Sequence, residues 1–302
     1  MARSEYHKKK VKKAITGWVI AVVVLAAFTF AVIGITNAVD NKVAEKYNTP
    51  LSALEYENVQ KMSYTYYGTQ YDFSFDGSKW IYDQDPQMPL AQDFMEYAVY
   101  YVTNMTADSK VAKNLDALED YGLAEPHTTV TLKDKTGAEE IFYVSGEANE
   151  NSSYYLYKEG DQTVYTTSYY FWYYFGYPIN SLAEVEELEE FSADVNPSIT
   201  VVSKDGTKQL SAGSDEANAF IEAVGSDLYF VQWSDYKTDE TTKLCGLDSP
   251  TYTLQYTAAG NATTVLVGTV IEDGYYFATT PESQYVYAIS GTVVDAMAAL
   301  FE

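Results

Sequence analysis

The sequence predicts an α+β protein: two tandem, similar modules of antiparallel sheet plus helices, preceded by one transmembrane helix. Three observations carry that expectation. Residues 121–132, YGLAEPHTTVTL, and residues 245–256, CGLDSPTYTLQY, spell the same corner twice. Short stretches alternate apolar and polar residues between Asp-Gly and Gly turns, which is how antiparallel strands read. An uncharged run over residues 14–39 follows a basic tail.

That tail, residues 1–13, carries Arg3, Lys8, Lys9, Lys10, Lys12 and Lys13 against Glu5. Ile, Val, Ala, Leu and Phe then dominate 14–39, a run longer than the roughly 20 residues that a helix needs to cross hydrocarbon. A helix satisfies its own backbone groups there. The positive-inside rule keeps the tail cytoplasmic and puts the rest outside. A cleaved signal peptide shares the basic start, with Thr36-Asn37-Ala38 as a tolerable cleavage triplet. Its apolar core, however, is usually only about 7–15 residues long. No Cys follows the run, which argues against a lipid anchor. The expected location is the cell membrane, single-pass, with the N-terminus cytoplasmic and the C-terminal modules extracytoplasmic. Residues 40–56, broken by Pro50, form a stalk.

The first module spans 57–178. TQYDFSFDGSKWIYD reads as a hairpin with Tyr71, Phe73 and Phe75 on one face. Leu90, Phe94, Ala98, Tyr101 and Met105 recur at helical intervals after Pro89. The corner and a meander of short strands follow. Residues 179–196 read as a linker helix: SLAEVEELEEF spaces Leu182, Val185, Leu188 and Phe191 nearly helically, with Ser181 to cap. The second module spans 197–302. Its helix, SDEANAFIEAVG, begins at Ser214 and ends at Gly225.

Landmarks in one order support the duplication. Phe75-Asp76-Gly77-Ser78-Lys79 pairs with Lys204-Asp205-Gly206-Thr207-Lys208, and Tyr154-Tyr155-Leu156 with Tyr275-Tyr276-Phe277. Val164-Tyr165 pairs with Val286-Tyr287, and Ser168 with Ser290. At the corner itself, Gly122 and Gly246 supply positive φ, and Leu123 and Leu247 anchor it in the core. Pro126 and Pro250 stop the preceding helix and set the next strand. The motif is structural, because it shares no ionisable side chain: Thr251 stands where the first copy has His127.

Trp80 after an Asp-Gly hairpin, a helix, Tyr-Gly-Leu-x-x-Pro, a strand pair ending in Gly146-Glu147, then Tyr-Tyr and Val-Tyr together resemble a bacterial family, domain of unknown function 4340. The resemblance covers roughly residues 57–302, with the first copy the closer fit. The second departs from it: Gln209 or Leu210 stands near the place of Trp80, Cys245 replaces Tyr121 and Thr269 replaces Glu147. What the resemblance implies is an anchored extracytoplasmic protein of α+β build, often encoded beside an ABC-type transporter of the gliding-motility class. The family brings no established catalytic residues to carry over.

Charge and chemistry narrow the function. The chain holds 19 bases against 43 acids, so nucleic acid is excluded as a partner by repulsion. Aromatics make up 16% of it, with 30 tyrosines, enough to build a core. Cys245 is the lone cysteine, so no intramolecular disulfide forms, as is common in bacterial envelope proteins. No spacing fits a metal, and no cofactor motif occurs. One His beyond the tail, His127, does not make a nucleophile–base pair.

The most unusual stretch is SYYFWYYFGYP, residues 168–178. Tyr169, Tyr170, Trp172 and Tyr173 form a candidate interaction surface, since aromatic faces stack on sugars and partners. The competing reading is a packed helix, because the stretch aligns with SGTVVDAMAALF. The expected function is a non-enzymatic accessory or scaffold protein that meets an ABC-type transporter or envelope complex. The alternative is a module binding cell-wall glycan or peptidoglycan through exposed aromatics. A hydrolase drawn from paired carboxylates comes third. Expected partners are the cytoplasmic membrane through 14–39, and transporter subunits or cell-wall components.

Overall fold

The structure is a computed structural model that describes residues 49–112, 118–148, 153–258, 260–271 and 274–302. The basic tail and the run over 14–39 lie outside the described residues. Among those described, no helix is long and apolar enough to cross a membrane. The expected α+β class is corrected: among the described residues three sheets dominate, and the helices are few and short, while the expected transmembrane helix over 14–39 falls outside what the structure describes. The cause is periodicity. Most described segments alternate burial with period two, as a half-buried strand does.

The smallest sheet pairs β1 (Thr49–Pro50) with β5 (Thr106–Ala107). An eight-stranded sheet contains β2 (Val59–Tyr66), β3 (Thr69–Phe75), β4 (Trp80–Tyr82), β6 (Ser109–Ala112), β7 (Thr128–Asp134), β8 (Glu139–Ala148), β9 (Tyr154–Lys158) and β10 (Val164–Thr167). Their order is β4-β3-β2-β7-β8-β9-β10-β6. A seven-stranded sheet contains β11 (Ser198–Ser203), β12 (Gly206–Leu210), β13 (Phe230–Tyr236), β14 (Tyr252–Ala258), β15 (Asn261–Val270), β16 (Tyr275–Thr279) and β17 (Tyr285–Ser290). Its order is β12-β11-β14-β15-β16-β17-β13. Leaving β4 aside, the two orders correspond strand for strand.

That correspondence shifts one landmark. β11 and β12 take the places of β2 and β3, whose turn is Tyr67-Gly68, with both residues at positive φ (45° and 76°). Asp76-Gly77, which the sequence pairs with Asp205-Gly206, instead joins β3 to β4. Asp-Gly is a generic turn signal, whereas a Tyr in the left-handed region carries no sequence mark.

Five helices accompany the sheets in the described chain: α1 (Gln92–Thr103), α2 (Tyr170–Phe175), α3 (Asp215–Val224), α4 (Asp239–Leu244) and α5 (Gly291–Ala299). Helix α1 buries Met95, Ala98, Val99 and Val102, a stripe rotated by about a residue from the one read in sequence. The bulky rings of Phe94 and Tyr101 lie half-buried at its flank. For α3, Ser214 Oγ accepts from Ala217 N at 3.1 Å, and Gly225 ends the helix at φ 58°. It buries Ala217, Phe220, Ile221 and Val224, one face at helical spacing.

The linker helix over 179–196 is not there. A single 3-10 turn, Ile179–Leu182, gives way to chain without regular structure. In a helix Glu186 and Glu190 would repel at i,i+4. In the extended segment, Glu186 Oε1 accepts from Ser283 Oγ at 2.7 Å and the Glu189 carbonyl accepts from Tyr256 OH at 2.6 Å. Tertiary hydrogen bonds outweigh local propensity here.

Packing divides the described residues into two compact units, 49–59 with 99–171, and 60–98 with 172–302. In the first, Val130 and Leu132, Phe142 and Val144, and Leu156 are fully buried at alternate positions of β7, β8 and β9. In the second, Ile199, Val201, Leu254, Val265 and Val267 do the same on β11, β14 and β15. The first unit also holds a buried ion pair. Lys158 Nζ on β9 donates to Glu140 Oε1 on β8 at 2.5 Å and to the Leu51 carbonyl at 2.9 Å. Glu140 accepts further from Ala53 N at 2.9 Å and Ser52 Oγ at 2.6 Å. One carboxylate thus fastens the segment 51–53 to two strands.

Removing half of a buried pair leaves an uncompensated charge, whereas replacing both halves by apolar groups does not. Glu140→Gln in the full chain should cost on the order of 3 kcal/mol in urea unfolding. Glu140→Leu combined with Lys158→Met should cost much less; equal costs would show that the pairing is not what matters.

Buried phenols set a second expectation. Burial, and then the hydrogen bond to Asp161, pushes the Tyr165 hydroxyl up to about 12. Burial does the same for Tyr287, again to about 12, with Glu186 adding a smaller upward push. A raised folded pKa means that the unfolded chain loses these protons first, near pH 10, so stability falls as pH rises from about 10 to 12. Alkaline titration at 295 nm should show phenols that ionise only with unfolding; a single transition near 10 with the fold intact would contradict this.

Candidate functional site

The aromatic run sorts itself by face. On α2, Phe171 and Phe175 are buried one turn apart, while Tyr170 and Tyr173, with Tyr169 in the turn just before the helix, are 51%, 50% and 57% exposed. Trp172 is half-buried, and Gly176 follows it because a Cβ there would lie 2.6 Å from the Trp172 carbonyl and ring. Tyr169 and Tyr170 stack with ring centroids 4.5 Å apart at 27°. Tyr173 and Tyr174 each meet Phe94, at 6.1 and 5.6 Å. Below them, Tyr64 donates its hydroxyl to the Tyr177 carbonyl at 2.9 Å, and burial pushes that phenol well above its ordinary range. The run is thus divided by face, with Phe171 and Phe175 inward and Tyr169, Tyr170 and Tyr173 outward.

The doubled corner is built twice in the same way. Gly122 at φ 64° donates to the Glu119 carbonyl at 3.1 Å, and Leu123 N donates to the Leu118 carbonyl at 2.9 Å. Gly246 at φ 68° donates to the Lys243 carbonyl at 3.2 Å, and Leu247 N to the Thr242 carbonyl at 2.8 Å. Each pair satisfies the last carbonyls of a short helix in the Schellman manner, with a left-handed glycine. Leu123 and Leu247 are buried, Leu247 in a cluster with Cys245 and Val286. Strands β7 and β14 begin two residues after Pro126 and Pro250 respectively. These corners shape the chain and present no reactive group.

Within the second unit a cleft of about 1060 Å³ opens. Trp80, Met88 and Leu90 line it and are themselves buried; Tyr236, Lys237 and Tyr285 also line it. The open edge of β4 is closed by a side chain: Gln92 Oε1 accepts from Trp80 N at 2.7 Å, and Gln92 Nε2 donates to the Trp80 carbonyl at 3.1 Å. Tyr236 donates its hydroxyl to Asp85 Oδ2 at 2.8 Å. Burial first, and that carboxylate second, raise its pKa well above the usual phenol range. Lys237 Nζ donates to the Thr280 and Pro281 carbonyls at 2.8 and 2.9 Å. Sequence reasoning missed this cleft. Lys79, Trp80, Pro89 and Leu90 belong to a turn and a helix start that point to structure alone, and the lining residues come from three distant stretches of chain. Among the described residues, no group of three or more His, Cys, Asp or Glu side chains gathers to hold a metal.

Residues 80–219 match the family described as domain of unknown function (DUF4340). The match covers under half of the 302 residues, so it is a similarity to that family over this stretch. It runs from Trp80 through the Gly122 corner and α2 into α3, and leaves Gly246 outside. No curated protein and no solved structure matches the chain. The DUF4340 match carries no chemistry of its own, so the geometry must supply any functional reading.

The corners yield a graded test. Gly122→Ala should cost about 1–2 kcal/mol for its left-handed backbone. Gly246→Ala should cost more, since its Cβ would also lie 2.8 Å from Thr269 Cγ2. Gly268→Ala should be worst, because a Cβ there would fall 1.9 Å from the Cys245 carbonyl oxygen. Thermal unfolding of the three variants that gave a different ranking would refute this account of the corners.

Proposed function

We propose that the chain is a non-enzymatic accessory or scaffold protein, extracytoplasmic and tethered to the cytoplasmic membrane through residues 14–39, that meets its partner through the tyrosines of α2. The observation that carries this reading is the exposure of Tyr169, Tyr170 and Tyr173 above the buried Phe171 and Phe175. Tyrosine offers a large, stiff contact area with a polar tip and is enriched in protein interfaces. Clustered exposed rings on a folded protein mark an interaction site more often than isolated ones do. The excess of acids over bases steers basic partners toward the surface. The partner class, a transporter or envelope complex, comes from the resemblance to the family. In the same reading the two sheets are copies of one module, supported by their matching strand orders and paired corners.

One observation favours a second reading. The stacked pair Tyr169–Tyr170 could offer a flat aromatic face to a cell-wall sugar. The triple variant Tyr169→Ala, Tyr170→Ala, Tyr173→Ala separates the cases. Exposed rings contribute little to stability, so it should unfold within about 0.5 kcal/mol of the parent per site. Pull-down from detergent-solubilised membranes should recover transporter subunits with the parent and lose them with the variant. Saturable binding to purified peptidoglycan, lost in the same variant, would favour the sugar instead. Unchanged capture would remove α2 from the interface.

A further inference from the structure

Two lysines among the described residues are half-buried, Lys158 and Lys237, and their charges are handled differently. Lys158 is neutralised by Glu140. The ion pairs among the described residues are Lys133–Glu139 and Lys158–Glu140, and Lys237 belongs to neither. Its ammonium is clamped by two carbonyls, which take two of its three N–H bonds, and among the described residues no carboxylate stands within ion-pair distance of it, Glu186 being held on Ser283 and Asp85 on Tyr236. A partly desolvated cation without a counter-charge is costly, and the cost is relieved by an anion that reaches it. Lys237 lines the cleft of the second unit, where such an anion has room. Lys79, exposed and likewise in no ion pair, lines the same cleft. Asp239 is the one acid in that lining.

We propose that this cleft is a binding site for a small ligand carrying an oxyanion, carboxylate or phosphate, which seats on the Lys237 ammonium. The carbonyls of Thr280 and Pro281 fix where the ammonium sits, so the site is organised before the ligand arrives. Lys79 adds a second, looser positive charge. Trp80, Tyr236 and Tyr285 line the remainder and suit an organic body beside the anionic group. The inference concerns a different surface from the tyrosines of α2 and stands whether or not a partner binds there.

The test uses the full chain in detergent micelles, with thermal unfolding followed at constant ionic strength. Sodium acetate and inorganic phosphate are titrated in turn against sodium chloride. A probe that binds should raise the Tm with the logarithm of one plus its concentration over Kd, by about 3 °C at ten times its Kd. A response to acetate alone identifies a carboxylate ligand, and one to phosphate alone a phosphate. Lys237→Met should abolish this rise, and Lys79→Met should weaken the apparent affinity about threefold. Lys204→Met, at an exposed turn, should leave it unchanged. No rise beyond chloride with either probe, or the same rise in Lys237→Met, overturns the proposal. If Lys237→Met fails to fold, Lys79→Met decides alone: an undiminished affinity overturns it.

Discussion

Both large sheets depend on one backbone constraint, a glycine held in the left-handed region where a short helix must stop and a strand begin. At Gly122 and Gly246 the helix carbonyls left without intrahelical partners are taken up by the glycine and leucine amides that follow. The leucine is then drawn inward, so the turn is fastened both by hydrogen bonds and by burial. Proline three residues beyond Leu keeps the chain extended into β7 or β14. Those strands sit in the interior of their sheets, each between a hairpin strand and the meander. An error in the direction of the corner would therefore propagate into the register of every later strand, since a slip of one residue exchanges the two faces. The second corner is tighter than the first. Thr269 donates its backbone N–H and its hydroxyl to the Cys245 carbonyl, at 2.9 and 3.2 Å, and Gly268 leaves room for that approach.

Charge is organised on a similar economy of positions. Acids outnumber bases more than two to one, yet few of them pair with a lysine among the described residues. Many act as local acceptors instead. Asp76, exposed, and Asp134, half-buried, accept backbone and hydroxyl hydrogens within their own turns, and those bonds lower their pKa values. Glu140 is the exception. Its burial is tolerable because a cation, an amide and a hydroxyl converge on it. The same logic makes Lys237 conspicuous, for a half-buried charge met only by carbonyls is incompletely compensated.

What could be read from the sequence follows from how local each cause is. The alternation in TTVTLKD and YTLQYTA is visible because each strand buries one face, and the Ser214 cap is visible because it acts within one turn. Gly122 and Gly246 stand out because so few residues tolerate their φ. The segment 183–196 misleads because the contacts that hold it extended lie 67 to 97 residues away, at Tyr256 and Ser283. The stripe of α1 misleads because aromatic residues weigh heavily in a hydrophobic pattern although long rings can lie along a flank. In 168–178 the composition announced an aromatic cluster, but only the packing distinguishes Phe171 from Tyr170. The cleft had no signal at all, since Asp85, Lys237 and Thr280 acquire meaning only when brought together.

The thirty tyrosines are better understood from their hydroxyls than from their rings. A phenylalanine at 64, 165, 236 or 256 would fill much the same space, but would lack the donor that ties one stretch of chain to another. Tyr64 reaches the Tyr177 carbonyl, Tyr236 reaches Asp85, and Tyr256 reaches the Glu189 carbonyl across wide sequence separations. Tyr165 makes a shorter tie to Asp161. Each bond satisfies a hydroxyl that would otherwise be costly to bury, and each secures a segment with little regular structure of its own. Without a disulfide to do so, loops such as 83–91 and 183–190 are held by phenols anchored in strands. Tyr169, Tyr170 and Tyr173 differ in kind: about half of each side chain faces water, beside a helix already secured by Phe171 and Phe175, so they add more surface than stability.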